Sequence, residues 1–160
     1  MFRKSLTNDF WFKRFISSLK NKKVVIKSLE KILKRNIKDI KVVVEKVTKK
    51  EIKEEKLCRF DAYIEIDDDE IVIIEMQNKE EKDMQDRIIT YMGKVEKETL
   101  EKGQTYSKKK KISAILFTNY KLYKEGDIYE VTKLIRSFEA KIFSDKLNIY
   151  NIDLKNYSNN

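Results

Sequence analysis

Two short apolar segments separated by four acidic residues constrain this chain more than any other feature. They are FDAYIEI, residues 60–66, and IVIIEMQ, residues 71–77, joined by Asp67-Asp68-Asp69-Glu70. The joining stretch is short and polar, so the pair reads as a β-hairpin with solvated turn chemistry at its tip. Successive side chains of a strand leave opposite faces. Glu75 and Gln77 therefore share one face, with Val72, Ile74 and Met76 on the other. Asp61, Tyr63 and Glu65 likewise share a face, with Phe60, Ala62, Ile64 and Ile66 behind it. Pairing Ile66 with Glu70 sets Asp61 opposite Glu75, whereas a slip of one residue sends the two acids to opposite faces. Two carboxylates meeting at a strand end, beside a neutral amide, suit a hard divalent cation such as magnesium.

The rest of the composition pushes the same way. The chain has no histidine and one cysteine, Cys58, which removes zinc centres, Ser-His-Asp triads, Cys-His dyads and disulfides from consideration. Chemistry here has to use carboxylates, amides, lysine, arginine, tyrosine or a bound metal. A formal net charge of +9 favours a polyanionic partner such as nucleic acid. Abundant lysine, isoleucine and asparagine with no proline supports a competing reading, a coding bias across the whole chain. The run Lys108 to Lys111 reads as a solvated loop leading into a strand. No stretch approaches the roughly 20 apolar residues that span a bilayer, and no apolar leader opens the chain. The expectation is a cytoplasmic protein with no membrane contact, a single domain over residues 1–155 and a frayed tail over 156–160.

Periodicity orders the elements. Thr7-Asn8-Asp9 offers a helix start, followed by Phe12, Phe15, Ile16 and Leu19 at helical spacing, and Asn21 closes the segment. Val25, Leu29, Ile32 and Leu33 form a second stripe, with Asn36 as its stop. Residues 40–47, IKVVVEKV, read as a strand, and 48–57 as a loop or strand extension. After the hairpin, Met84, Ile88, Tyr91, Met92 and Val95 predict a long helix over 80–102, which Gly103 ends. ISAILFT, from Ile112, is a buried strand by its unbroken apolar character. Further strands are expected around 128–142 and over 147–154. The sum is an α/β layered domain with a mixed sheet, in which three strands form a meander and the long helix leads to a fourth.

This order, joined to an Asp, a hairpin and a Glu-x-Gln, resembles the PD-(D/E)XK nuclease superfamily, and more closely the Rpn-type recombination-promoting nucleases, also described as PD-(D/E)XK family transposases. TNDFWFKRF resembles that family's opening helix, and RFDAYIEI with IIEMQN its metal-binding hairpin. Arg87 and Tyr91 in RIITYMGK, with GQTY before ISAILFT, resemble its central helix and the exit from it. FEAKIFSDKLNIYNIDL resembles its late strands. The resemblance runs from about Leu6 to Leu154 and implies a restriction-endonuclease-like αβββαβ core, a mixed sheet flanked by helices, plus extra C-terminal strands. The superfamily's usual lysine two residues after the glutamate is Gln77 here, a residue the closer family ordinarily carries.

What the resemblance implies for chemistry is specific. Asp61 and Glu75 ligate Mg2+, or Mn2+ in its place, with the backbone carbonyl of Met76 as a further donor. Gln77 does not titrate, so it orients the attacking water or bonds the scissile phosphate. Asp9 carries two readings, an added acid at the metal or a helix N-terminal residue stabilised by the dipole. Arg87 either holds a phosphate or pairs with Asp83. Lys13 reads as a surface residue first and a phosphate contact second. Lys79 shares the parity of Glu75 and Gln77 only if the strand runs on, and a helix start is the alternative. Trp11 reads as core. The expected function is a magnesium-dependent DNA endonuclease of recombination, mobile elements or defence. Longer family members continue into a helical region beyond this sequence. That motivates the alternative of an inactive nuclease-like module that binds DNA or regulates a longer paralogue, with a homodimer or pairing with that paralogue as assemblies.

Overall fold

A computed structural model describes residues 9–44, 60–99, 103–123 and 125–156, and for Asp9, Phe10, Trp11 and Val44 the backbone alone. The expectations for Thr7 and Asn8, Trp11, strand residues 45–47, the 48–57 segment, Cys58, the helix end at 100–102 and the tail over 157–160 lie outside these residues. The elements are α1 (Asp9–Ser17), α2 (Lys22–Leu33), β1 (Ile40–Val44), β2 (Ala62–Ile66), β3 (Glu70–Gln77), α3 (Met84–Glu98), β4 (Lys111–Thr118), β5 (Tyr129–Arg136) and β6 (Lys141–Asp153). One six-stranded sheet runs in the order β1-β2-β3-β4-β6-β5. The β1-β2-β3 meander is antiparallel, β4 joins β3 in parallel, β6 joins β4 in parallel, and β5 returns antiparallel on β6.

The two faces of the hairpin strands sort the core into two layers. Ala62, Ile64, Ile66, Val72, Ile74 and Met76 pack under Phe12, Ile16, Val25, Leu29 and Leu33 of α1 and α2. Tyr63, Ile71 and Ile73 pack under Met84, Ile88, Met92 and Val95 of α3. A central strand covered on both faces is nearly all apolar, and β3 is buried along its whole length up to Gln77. This mixed sheet between helices is the restriction-endonuclease-like arrangement expected from the sequence.

Several local expectations are corrected. Leu19 leaves the apolar stripe and is exposed, because α1 stops at Ser17 and a 3-10 turn follows. Helix α2 ends before Asn36, with Lys34 taking the left-handed conformation that terminates it. Phe60 lies with α3, its ring edge-on to Tyr91 at 5.2 Å, because it precedes β2 and escapes the strand's alternation. Residues 128–142 are not one strand: β5, a turn and the start of β6 share them, and β6 begins at Lys141. Lys109, Lys110 and Lys111 are half-buried, and Lys109 pairs with Glu96 at 2.8 Å.

Candidate active site

Register is the first requirement. Ile66 pairs with Glu70 and Ala62 with Ile74, so one further step sets Asp61 across from Glu75, as the sequence predicts. Asp61 lies just outside β2, yet its carboxylate continues the ladder: Oδ2 accepts the Met76 N–H at 2.8 Å. Lys13, from α1, brings its Nζ to 3.3 Å from Asp61 Oδ1. Lys13 is therefore no surface residue; its side chain is 16% exposed and faces the acid.

Glu75 is buried, with 5% of its surface exposed, and among the described residues its Oε1 has no hydrogen-bond partner. Burial pushes this carboxyl up to about 8, and the neighbouring Asp61 charge adds to the rise. Arg87, the Asp61 backbone and Lys13 oppose it with smaller effects. Arg87 comes from α3, so cationic side chains from helices on both faces of the sheet bracket the strand end. Its expected partner Asp83 contributes only a backbone carbonyl; the guanidinium instead pairs with Glu81 and contacts the Met84 sulfur, and its buried Nε has no partner among the described residues.

Tyr120, two residues past β4, was not a candidate from the sequence. It is buried; burial, then the Glu81 charge, pushes its phenol up, while Arg87 and the Glu81 backbone pull it down. The Glu81 backbone approaches the hydroxyl without forming a hydrogen bond of ordinary geometry, and among the described residues no other group bonds it. Among the described residues, Glu75 Oε1, Arg87 Nε and the Tyr120 hydroxyl are thus buried polar atoms without a hydrogen bond near one end of the sheet. Orphaned buried groups are rare and call for an explanation. Nothing in the sequence ties Tyr120 to the hairpin, because β4 reaches β3 only through a long crossover.

The other candidates are placed as follows. Gln77 is half-buried as the last residue of β3, its carbonyl accepting the Asn119 N–H at 2.8 Å. Lys79 is exposed in a bend, so β3 does not run on to carry it, nor does it open α3, which starts at Met84. Asp9 opens α1, its side chain outside the described atoms. The four-residue acidic link is also corrected. Asp67 and Asp69 bind Arg35, and Glu70 is fully buried as the first residue of β3 rather than solvated.

The fit to a divalent ion is tested by Glu75. A buried carboxylate raised first by burial and then by a second carboxylate would be stabilised in its charged form by a bound cation. Asp61 and Glu75 supply hard oxygen donors, so the residues fit. Among the described residues no third His, Cys, Asp or Glu joins them. An apolar cavity of about 250 Å3 lies beneath α1 and α2, lined by Phe12, Leu29, Ile74, Met76 and Phe117 among others. Its described lining holds no titratable group, so it offers no acid, base or metal ligand.

A mixed sheet between helices, with a meander leading through a crossover helix to a parallel strand, defines a restriction-endonuclease-like fold. The chain belongs to the PD-(D/E)XK nuclease family of transposases: the model described as PD-(D/E)XK nuclease family transposase matches residues 6–160. Nucleases of this class generally use divalent metals, and their class makes DNA the substrate to consider. No curated protein and no solved structure matches the chain. No helix among the described residues is long and apolar enough to cross a membrane.

Proposed function

We propose that this chain is a magnesium-dependent endonuclease that hydrolyses DNA phosphodiester bonds, with Asp61 and Glu75 holding the ion. The observation that carries this reading is the buried, unpartnered Glu75 oxygen across the hairpin from Asp61. A divalent ion there would neutralise the paired acids, offset phosphate charge and supply a deprotonated water, with the Met76 carbonyl as the third donor the resemblance implies. Asp61 is held in place by the Met76 N–H, and Lys13 balances its charge. Gln77, on the same strand face as Glu75, orients the attacking water through its amide. Arg87 has a buried donor to spare and meets a phosphate oxygen on the α3 side. The Tyr120 hydroxyl gives a second, neutral donor to the same phosphate, whose bridging 3′ oxygen leaves as the bond breaks.

Plasmid cleavage with magnesium or manganese tests the assignment. Asp61→Asn and Glu75→Gln are expected to lower the rate by about 1,000-fold, a loss of several kcal/mol of transition-state stabilisation. Tyr120→Phe removes one uncharged donor and is expected to cost about 10-fold. Cleavage unchanged in both acid variants would overturn the assignment. No cleavage by the parent chain, together with salt-sensitive DNA binding, would move it to the inactive DNA-binding module.

A further inference from the structure

The β5–β6 ribbon takes no part in the candidate site. Strand β4 pairs with β6 only from Leu147 to Asp153, so the earlier part of β6 and its partners on β5 run past the start of β4. Every residue from 131 to 143 is exposed. Leu134, Ile135, Phe138, Ile142 and Phe143 lie in this stretch, with Phe138 99% and Phe143 73% exposed. Ile135 and Ile142 are direct partners and leave the same face. Leu134 precedes Ile135 on β5 and so leaves the opposite face, while Phe138 lies in the turn, so the ribbon carries exposed apolar side chains on both faces and at its tip. A two-stranded ribbon bare on both sides is marginal in water, which marks it as a contact site.

Two properties choose the occupant. The ribbon leaves the sheet beyond the Glu70–Lys111 end, whereas Glu75 and Gln77 sit toward the other end of β3. Eleven strand residues of travel separate its tip from Glu75, on the order of 35 Å, so the ribbon does not touch a phosphate held at the acids. Its charges are also mixed, with Glu139 pairing to both Arg136 and Lys141 rather than leaving a basic stripe. A second copy fits instead. Among the described residues β5 is an outer strand, and an antiparallel edge can pair with itself about a two-fold axis. The five apolar side chains expose roughly 600 Å2 per copy, of which edge pairing covers the part that faces the second ribbon.

We propose that the ribbon is a homodimer interface, in which two β5 edges pair antiparallel and the apolar side chains on each face of the two ribbons lie side by side. Analytical ultracentrifugation of the full chain at micromolar concentrations is expected to show a dimer. The triple variant Ile135→Lys/Phe138→Lys/Phe143→Lys is expected to raise the dimer dissociation constant by about 100-fold or more. All three positions are exposed, so the far-UV circular dichroism should not change. Hydrogen exchange on the parent chain gives a second readout that needs no variant: β5 amides should gain protection as concentration rises. A monomer at every concentration, a dimer that persists in the triple variant, or β5 exchange independent of concentration would each overturn the proposal. A monomer whose salt-sensitive DNA shift is lost in the triple variant would assign the ribbon to DNA instead. None of these measurements depends on cleavage, so the interface and the nuclease reading fail separately.

Discussion

Glu75 lies on a strand covered by helices on both faces, and burial, more than the Asp61 charge, holds its carboxyl up to about 8. A carboxyl raised above its unfolded value of about 4.5 binds its proton more tightly in the folded chain. The associated stability is complete below pH ~4.5 and drains away as pH climbs toward 8, at roughly 1.4 kcal/mol per unit in that interval. With chelator present, the melting temperature of the parent chain should fall across this window. Glu75→Gln cannot ionise, so its curve should lose that component and gain on the parent steadily from pH ~4.5 toward 8. An identical slope in both proteins would refute the assignment of this titration to Glu75. Magnesium uptake requires the ionised form, so adding the ion should release protons below pH 8 and reverse the parent's loss. The Asp61–Glu75 pair was legible in the sequence because strand alternation and one turn length fix it. Lys13's burial, Arg87's turn toward Glu81 and the Tyr120 hydroxyl were not legible, since each depends on how a helix or a distant strand packs against the hairpin.

At the scale of elements, the far end of the hairpin explains why the acids meet. Arg35, just past α2, forms a two-pronged bond to Asp69 at 3.0 and 3.1 Å, a bond to Asp67 at 3.2 Å and an ion pair with Glu70 at 3.4 Å. Asp67 also accepts the backbone N–H groups of Lys38 and Asp39 at 3.0 and 2.9 Å, which ties β1 to the turn. Glu70 is fully buried, takes the Ser113 hydroxyl from β4 and lies 3.6 Å from the Lys111 Nζ. This network fastens β1, β2, β3 and β4 at one end and so sets the register five residues away at Glu75. Removing one partner of a buried ion pair strands the other, so Arg35→Ala should cost about 3 kcal/mol by urea denaturation. Asp69→Asn, at an exposed side chain, should cost under about 1 kcal/mol. Equal effects would mean that Glu70 is not the charge Arg35 chiefly serves. Asp67 and Asp68 both have positive φ, of 47° and 61°. Asp68 is exposed, and glycine there should relieve the backbone and gain about 0.5 kcal/mol. The hairpin itself was readable from alternation and turn chemistry. Arg35 was not, because no local pattern distinguishes a clamp from the surrounding solvated cations, and the same blindness made Glu70 look like solvated turn.

For the whole molecule, the sheet order turns the ribbon proposal into a statement about how DNA would be cut. The meander, the crossover through α3 and the return on β6 were foreseeable as an element order. The place of β4 between β3 and β6 was not, because parallel partners are chosen by long-range packing rather than by any turn. Strands β3, β4 and β6 all run the same way, so the acids lie at their C-terminal end and the ribbon tip beyond the other. Pairing two β5 edges antiparallel reverses every strand of the second copy relative to the first. The two acid pairs then face opposite ends of a merged sheet and cannot close on the two strands of one duplex. On the proposed nuclease reading, each copy acts alone. Supercoiled plasmid should therefore pass through a nicked circle that accumulates before linear product appears. The monomeric ribbon variant should nick at the same rate per chain as the parent, because its substitutions lie on the order of 35 Å from Glu75. Direct conversion to linear DNA, slowed in the ribbon variant, would require two sites facing one duplex and would contradict the antiparallel edge arrangement even if a dimer forms.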